Sequence, residues 1–67
     1  MNHIKRARIA AGLTQGELAK KLGVSLVTIW KWEMGYALPR VSRLKDVAGA
    51  LNVTVAELLD DYETRAV

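Results

Sequence analysis

The chain has 67 residues with one histidine and no cysteine, a formal net charge of +3, and no apolar run near the ~20 residues that a membrane span needs. This length allows one domain, residues 1–67, which buries only about 60% of the surface of its unfolded chain, so a large enclosed active site is not expected. Without cysteines, and with His3 alone, the sequence predicts no metal, no cofactor and no enzyme acting on a small-molecule substrate; we expect a cytoplasmic protein with no membrane partner.

The first predicted helix runs from an N-cap at Asn2 to about Ala11, and Gly12 ends it. Its inward face includes one charged residue, Arg8, which either pairs with a partly buried acid or extends along the edge of the core into solvent. The apolar residues at helical spacing on this face are Ile4, Ala7 and Ala11.

Residues 15–34, QGELAKKLGVSLVTIWKWEM, predict two helices joined by a very tight turn. A capping box of Thr14 and Glu17 begins the first of these helices, and Gly23 provides the left-handed backbone that ends it. Ser25 is the predicted N-cap of the second. The beginning and end of the first helix and the beginning of the second are therefore determined locally.

The apolar residues of these two helices form stripes that can face each other. Helices that cross steeply after so short a connection need a side chain no larger than a methyl group near the crossing. Ala19 meets this requirement, so we expect it where the second helix contacts the third, which spans about 26–34. The other members of the stripes are Leu18, Leu22, Ile29 and Trp32.

The second half of the chain predicts a loop followed by two more helices. Residues 35–40, GYALPR, form the loop because Pro39 cannot lie inside a helix. The fourth helix is predicted over about 41–51, and the fifth begins at a capping box of Thr54 and Glu57.

The predicted fold class is all-α, a compact domain of five helices with no strand. Val41 is expected to point inward from the fourth helix, and Val55 and Leu59 from the fifth. The extent of the fifth helix beyond Leu59 stays open, and residues 63–67 are expected to be frayed. The predicted core consists of Leu18, Ala19, Leu22, Ile29, Trp32, Leu44, Val47, Ala48, Leu51 and Leu58.

Within 15–34, the residues that carry a family resemblance are Gln15, Ala19, Gly23, Val24, Ile29, Trp32 and Glu33. Their spacing resembles the helix-turn-helix of Cro-like and phage-repressor-like DNA-binding domains, the XRE family. The resemblance extends over residues 4–59 and implies the lambda-repressor-like DNA-binding fold.

The resemblance also implies roles for residues outside the motif. An Arg in the position of Arg8 commonly pairs with the Glu that matches Glu33, so a structural ion pair is expected. Ala7 stands where the family usually has Leu, which implies thinner packing under the first helix. Ala37 replaces a basic residue that is frequent in the loop, which implies fewer contacts with a DNA backbone.

The third helix carries an unusual strip of residues that point away from the predicted core: Leu26, Val27, Trp30 and Lys31. An exposed apolar strip on a small domain marks an interaction surface, and the family has its base-reading side chains here. For Trp30, three roles stay open: contact with the groove or backbone of DNA, a dimer contact, and an exposed side chain without a function. Gln15, in the first turn of the second helix, is expected at a phosphate. The residues predicted to contact DNA are Gln15, Ser25, Leu26, Val27, Thr28, Trp30, Lys31 and Arg40.

Charge is distributed unevenly along the chain. Residues 1–45 contain nine basic and two acidic residues, a balance of +7, whereas residues 46–67 contain one basic and five acidic residues, a balance of −4. This polarity fits a polyanion on the first three helices and solvent or a second subunit near the last.

Two functional hypotheses follow. The first is a sequence-specific regulator, a repressor, that binds double-stranded DNA at a near-palindromic operator as a symmetric homodimer, with the third helix in the major groove. The second is a helix-turn-helix protein-interaction module, resembling an antitoxin or the partner of a regulator, that uses Leu26, Val27 and Trp30 to bind a protein.

Overall fold

The computed structural model describes the backbone of residues 2–66 and the side chains of residues 2–62. Within this part of the chain all regular structure is helical, and five α-helices pack around one core, as the sequence predicted. The helices are α1 (His3–Ala10), α2 (Gln15–Leu22), α3 (Leu26–Met34), α4 (Leu44–Leu51) and α5 (Val55–Ala66), with a 3-10 turn (Val41–Arg43) before α4.

The N-terminal caps predicted for the first three helices are confirmed. The Asn2 side chain accepts hydrogen bonds from the backbone N–H groups of Ile4 and Lys5. Thr14 and Glu17 form the reciprocal capping box of α2. The Ser25 side chain accepts from a backbone N–H in the first turn of α3.

The tight turn between α2 and α3 depends on Gly23. This residue has φ +68°, a left-handed conformation that most side chains disfavour. The turn it makes lets the Val24 N–H donate to the carbonyl of Ala19 at 3.0 Å. Only Ser25 then separates Val24 from the first residue of α3, so the two helices cross closely over the buried Ala19.

The core contains every residue that the sequence assigned to it. Ile4 joins them from α1, where the sequence had placed it on the inward face. Residues from all five helices therefore share one cluster, and partly buried side chains such as Leu13, Val24 and Val53 pack around it.

The prediction of a single fourth helix over 41–51 is wrong in its first turn. Arg40 is extended and the next three residues form a tighter 3-10 turn, so Val41 points into solvent with 70% of its surface exposed. The same turn directs Arg43 towards α2, where its Nη2 donates to the Leu22 carbonyl at 2.7 Å. Ala11, expected on the inward face of α1, is its exposed C-cap.

The fifth helix continues well beyond Leu59, an extent that the sequence left open. Its backbone is helical through Ala66, so the expectation that residues 63–66 are frayed is wrong, while Val67 lies outside the described residues. Leu58 is fully buried, whereas Val55 and Leu59 are more than one third exposed and contribute less to the core than predicted.

Candidate nucleic-acid interface

A buried polar network fixes α3 against the first two helices. Arg8 Nε donates to Glu33 Oε2 at 2.6 Å, and Arg8 Nη2 donates to Glu33 Oε1 at 3.1 Å. Arg8 Nη1 reaches the Leu13 carbonyl at 2.8 Å. Glu33 is only 8% exposed. A carboxylate buried this deeply is stable only when charged and hydrogen-bonded partners surround it. Two roles stayed open for Arg8, an ion pair and an extended side chain in solvent. The structure shows the ion pair, with Glu33 as the partner.

Gln15 joins this network from the first turn of α2. Its Nε2 donates to Glu33 Oε1 at 3.0 Å, and the side chain is partly buried. A carboxamide nitrogen has two N–H donors, so this bond leaves a second donor and orients it. The side chain that the sequence predicted at a phosphate is therefore held by the same carboxylate that anchors α3.

The outward face of α3 comprises Leu26, Val27, Trp30 and Lys31, and all four side chains are exposed. Val27 is 57% and Trp30 43% exposed, although Ile29 between them is fully buried. This division follows from the helical period, because residues three or four apart share a face. The core therefore leaves this face available for another molecule.

Two further apolar residues extend this face and were missed by the sequence analysis. Met34 is 54% exposed and stands four residues after Trp30 and seven after Val27, a spacing that could have identified it. Tyr36 is exposed too, and its ring centroid lies 5.4 Å from that of Trp30 at an interplanar angle of 42°. No periodicity indicates Tyr36, because it follows the helix.

The position of Tyr36 results from the way α3 ends. Gly35 has φ +83°, a conformation that favours glycine, and this turn folds the chain back. The Tyr36 N–H then donates to the Lys31 carbonyl at 2.9 Å. This backbone hydrogen bond thus holds Tyr36, and with it the ring, against the helix that carries Trp30.

Ser25 and Thr28 lie at the N-terminus of α3. Ser25 Oγ accepts from the Thr28 N–H at 3.1 Å and lies 2.9 Å from Thr28 Oγ1. Ser25 is exposed and Thr28 is half-buried. Their hydroxyls therefore contact each other at the N-terminal end of α3, and Ser25 provides a partner for one of the N–H groups that have none within the helix.

The loop before α4 is held by the fifth helix. The Tyr62 hydroxyl donates to the Pro39 carbonyl. Burial, together with the negative charge of Asp61, raises the pKa of Tyr62, so the hydroxyl keeps the proton that it donates. Arg40 follows Pro39 with an extended backbone and an exposed side chain.

A closely crossed pair of helices with an exposed outward face on the second defines a helix-turn-helix protein. A family model described as helix-turn-helix matches residues 4–58. The chain belongs to this family of DNA-binding transcription regulators, which confirms the XRE-type assignment. Among the described residues, no helix is both long and apolar enough to span a membrane.

The curated relatives are regulators of transcription. The HTH-type transcriptional activator BcrR of Enterococcus faecalis is 38% identical over 60 residues, which cover 90% of this chain and 29% of the relative. The cryptic phage CTXphi transcriptional repressor RstR of Vibrio cholerae is 35% identical over 57 residues, covering 85% of this chain and 51% of the relative.

An uncharacterized transcriptional regulator in the ATPase CF(0) region of Rhodospirillum rubrum is 38% identical over 60 residues, covering 90% of this chain and 56% of the relative. The chain therefore spans about one third to about one half of the length of these three relatives. No solved structure gives a significant match.

Proposed function

We propose that this chain is a sequence-specific repressor of transcription that acts in the cytoplasm and inserts α3 into the major groove of duplex DNA. The observation that carries this proposal is the outward face of α3, which is exposed while the opposite face is buried. The major groove is wide enough for one helix. The ion pair of Arg8 and Glu33 supports the role, because it holds α3 in one orientation before DNA arrives.

Base reading in this proposal relies on apolar contact. The side chains of Leu26 and Val27 have no hydrogen-bonding groups. The base feature that they can contact favourably in the major groove is therefore the thymine C5-methyl. Lys31 donates to the acceptors of guanine or to a nearby phosphate. Trp30 is too bulky for the groove floor and lies against the sugar-phosphate wall. The half-site therefore has T-rich steps under Leu26 and Val27.

Phosphate contacts position the helix. Gln15 uses the amide N–H that Glu33 leaves available, and Arg40 supplies a charge after the loop. Ser25 and Thr28, at the beginning of α3, contact the DNA backbone. The basic balance of residues 1–45 supports this arrangement.

Binding occurs as a symmetric homodimer, because one domain covers one half-site of the operator. The half-sites lie about one helical turn, ~34 Å, apart along a near-palindrome. The acidic C-terminal half supplies the dimer surface. Val55 and Leu59 on α5, each more than one third exposed, support this assignment.

A selection of bound duplexes from a random pool tests these proposals directly. We expect a consensus with two-fold symmetry, and a consensus without it would exclude the symmetric dimer. A reporter gene with the selected site at its promoter should be turned off by the protein; activation would contradict the repressor role.

Uracil substitution tests the reading of methyl groups, because uracil differs from thymine by this group alone. On the selected site, uracil at the T positions should weaken binding by the wild type and have a smaller effect on Val27→Ala. Unchanged affinity of the wild type for the uracil site would exclude apolar readout by Val27.

The second candidate, a protein-interaction module, is favoured by the exposure of Leu26, Val27 and Trp30. Salt dependence separates the two functions. DNA binding by Lys and Arg weakens steeply as salt rises, whereas an apolar protein contact changes little or strengthens. A complex that survives high salt would favour the protein partner.

A further inference from the structure

The rings of Trp30 and Tyr36 form an exposed aromatic pair at the C-terminal end of α3. Their centroids are 5.4 Å apart and their planes are tilted by 42°. Tyr36 is 66% exposed, so the contact with Trp30 covers only part of its ring. Each side chain is attached to α3, Trp30 within the helix and Tyr36 through its backbone bond to the Lys31 carbonyl. The pair therefore has a fixed place and an uncovered surface.

We propose that this aromatic pair packs on the deoxyribose rings of one DNA strand at the wall of the major groove. The inference rests on the proposed function and deepens it, because it adds Tyr36 to the interface and assigns the pair a contact with sugars. An aromatic ring presents a large, rigid apolar surface at a low cost in side-chain entropy, which suits the C–H groups of a sugar.

Charge supports DNA as the occupant of this surface. Lys31 is exposed and lies next to Trp30 in the same helix. Residues 1–45, which include the pair, have a balance of +7, and this attracts a polyanion. The two residues after Tyr36, Ala37 and Leu38, carry no charge. Contact with sugars thus replaces some of the ionic contact that a basic loop would provide.

A contact with sugars has a different salt dependence from a contact with phosphate. The logarithm of the binding constant falls linearly with the logarithm of the salt concentration. The slope of this line is about −0.9 for each phosphate that the protein neutralises. Replacing an aromatic side chain changes no charge, so affinity should fall while the slope stays the same. Replacing Arg40, which is proposed at a phosphate, should reduce the slope by about one unit.

The test measures binding of the selected duplex at several salt concentrations. Tyr36→Ala and Trp30→Ala should each weaken binding about five- to tenfold without changing the slope. The double variant should lose less than the product of the two effects, because the rings contact each other. Tyr36→Phe keeps the ring and should bind like the wild type. Ile9→Ala, which removes a similarly exposed apolar side chain on α1, should have no effect.

The outcomes separate this inference from the proposed function. If Tyr36→Ala binds as well as the wild type, the aromatic pair lies outside the interface although DNA binding stands. If Tyr36→Phe is as weak as Tyr36→Ala, the hydroxyl rather than the ring makes the contact, and the inference is overturned. If the wild type selects no duplex from a random pool, the proposed function fails and the inference fails with it. Unchanged thermal unfolding of the variants excludes a folding defect, as their exposure predicts.

Discussion

The two sides of α1 pack against the domain in different ways. On one side, Arg8 reaches Glu33 and closes a dense polar network with α3. On the other side, small residues leave a surface groove of about 520 Å³ between α1 and α4, and it continues towards α5. Ala7 and Ala10 line both parts of this groove. The domain is therefore closely packed between α1 and α3, whereas open space remains between α1 and the last two helices.

This difference predicts opposite signs for substitutions on the two sides. On the α3 side, changes remove a partner or add volume to filled space, so they should destabilise. On the groove side, added volume has room, and it should stabilise. The substitutions that test this comparison are taken from the largest expected effect to the smallest.

Arg8→Ala should have the largest effect. It leaves the Glu33 carboxylate buried with Gln15 as its remaining side-chain partner, and removing one member of a buried pair costs about 3 kcal/mol. The free energy of unfolding in urea measures this loss. Arg6→Ala, which changes an exposed residue of the same helix, should stay within about 0.5 kcal/mol of the wild type.

A double-mutant cycle with Arg8→Ala and Glu33→Ala sharpens this prediction. Because the two side chains are bonded through two nitrogens, we expect a coupling of at least ~0.5 kcal/mol. Strictly additive losses would contradict an energetic contribution of the ion pair.

Ala19→Leu should destabilise by about 1 to 3 kcal/mol, because the added carbons overpack the crossing of α2 and α3. Ala19 is only 4% exposed, so the larger side chain cannot extend into solvent and has to displace its neighbours. Ala56→Leu makes the same change at an exposed position of α5 and should be nearly neutral. Equal thermal midpoints for Ala19→Leu and the wild type would contradict the close crossing.

Prediction from sequence succeeded where the physics is local or periodic. Thr14 with Glu17 and Asn2 are caps whose partners lie within three residues, and a helical period of 3.6 identified the buried core. The prediction for Val41 was wrong because apolar spacing cannot distinguish the first turn of an α-helix from a 3-10 turn. Tyr36 was missed because the glycine turn that places it beside Trp30 leaves no period to detect.

The polar network illustrates a different limit. Periodicity placed Arg8 on the inward face of α1, but two roles stayed open until the family resemblance indicated Glu33. The third member, Gln15, lies 18 residues from Glu33 in sequence, and it was assigned to a phosphate rather than to this carboxylate. Long-range polar contacts of this kind depend on how the helices pack, which local patterns do not encode.

Ala7→Leu should stabilise the domain by about 1 kcal/mol, because it fills space in the groove beside α4 and α5. Ala7 is partly buried and lines both parts of the groove. The thermal midpoint should rise, and Ala56→Leu again controls for the change in helix propensity. A fall in the midpoint would indicate that this side of α1 is as tightly packed as the other.

The smallest expected effect concerns the two capping boxes, one on the α3 side and one on the groove side. In the α2 box the hydrogen bonds between Thr14 and Glu17 are 2.9 and 3.0 Å long, whereas those between Thr54 and Glu57 in the α5 box are 3.4 and 3.2 Å long. The shorter bonds should be stronger. Glu17→Gln should therefore destabilise more than Glu57→Gln at neutral pH.

Acid should remove the stabilisation provided by Glu17. Hydrogen bonds with Thr14 hold the pKa of Glu17 below its ordinary value of 4.5. The bond to the Thr14 backbone has the larger effect and the bond to the Thr14 side chain the smaller. A lowered pKa means that the folded state favours the charged carboxylate, so its contribution is complete above pH 4.5 and disappears as the pH falls through the folded-state pKa. Thermal midpoints from about pH 7 to about pH 3 should thus show Glu17→Gln approaching the wild type in acid. A constant difference between the two proteins over this range would mean that the charge of Glu17 does not stabilise α2.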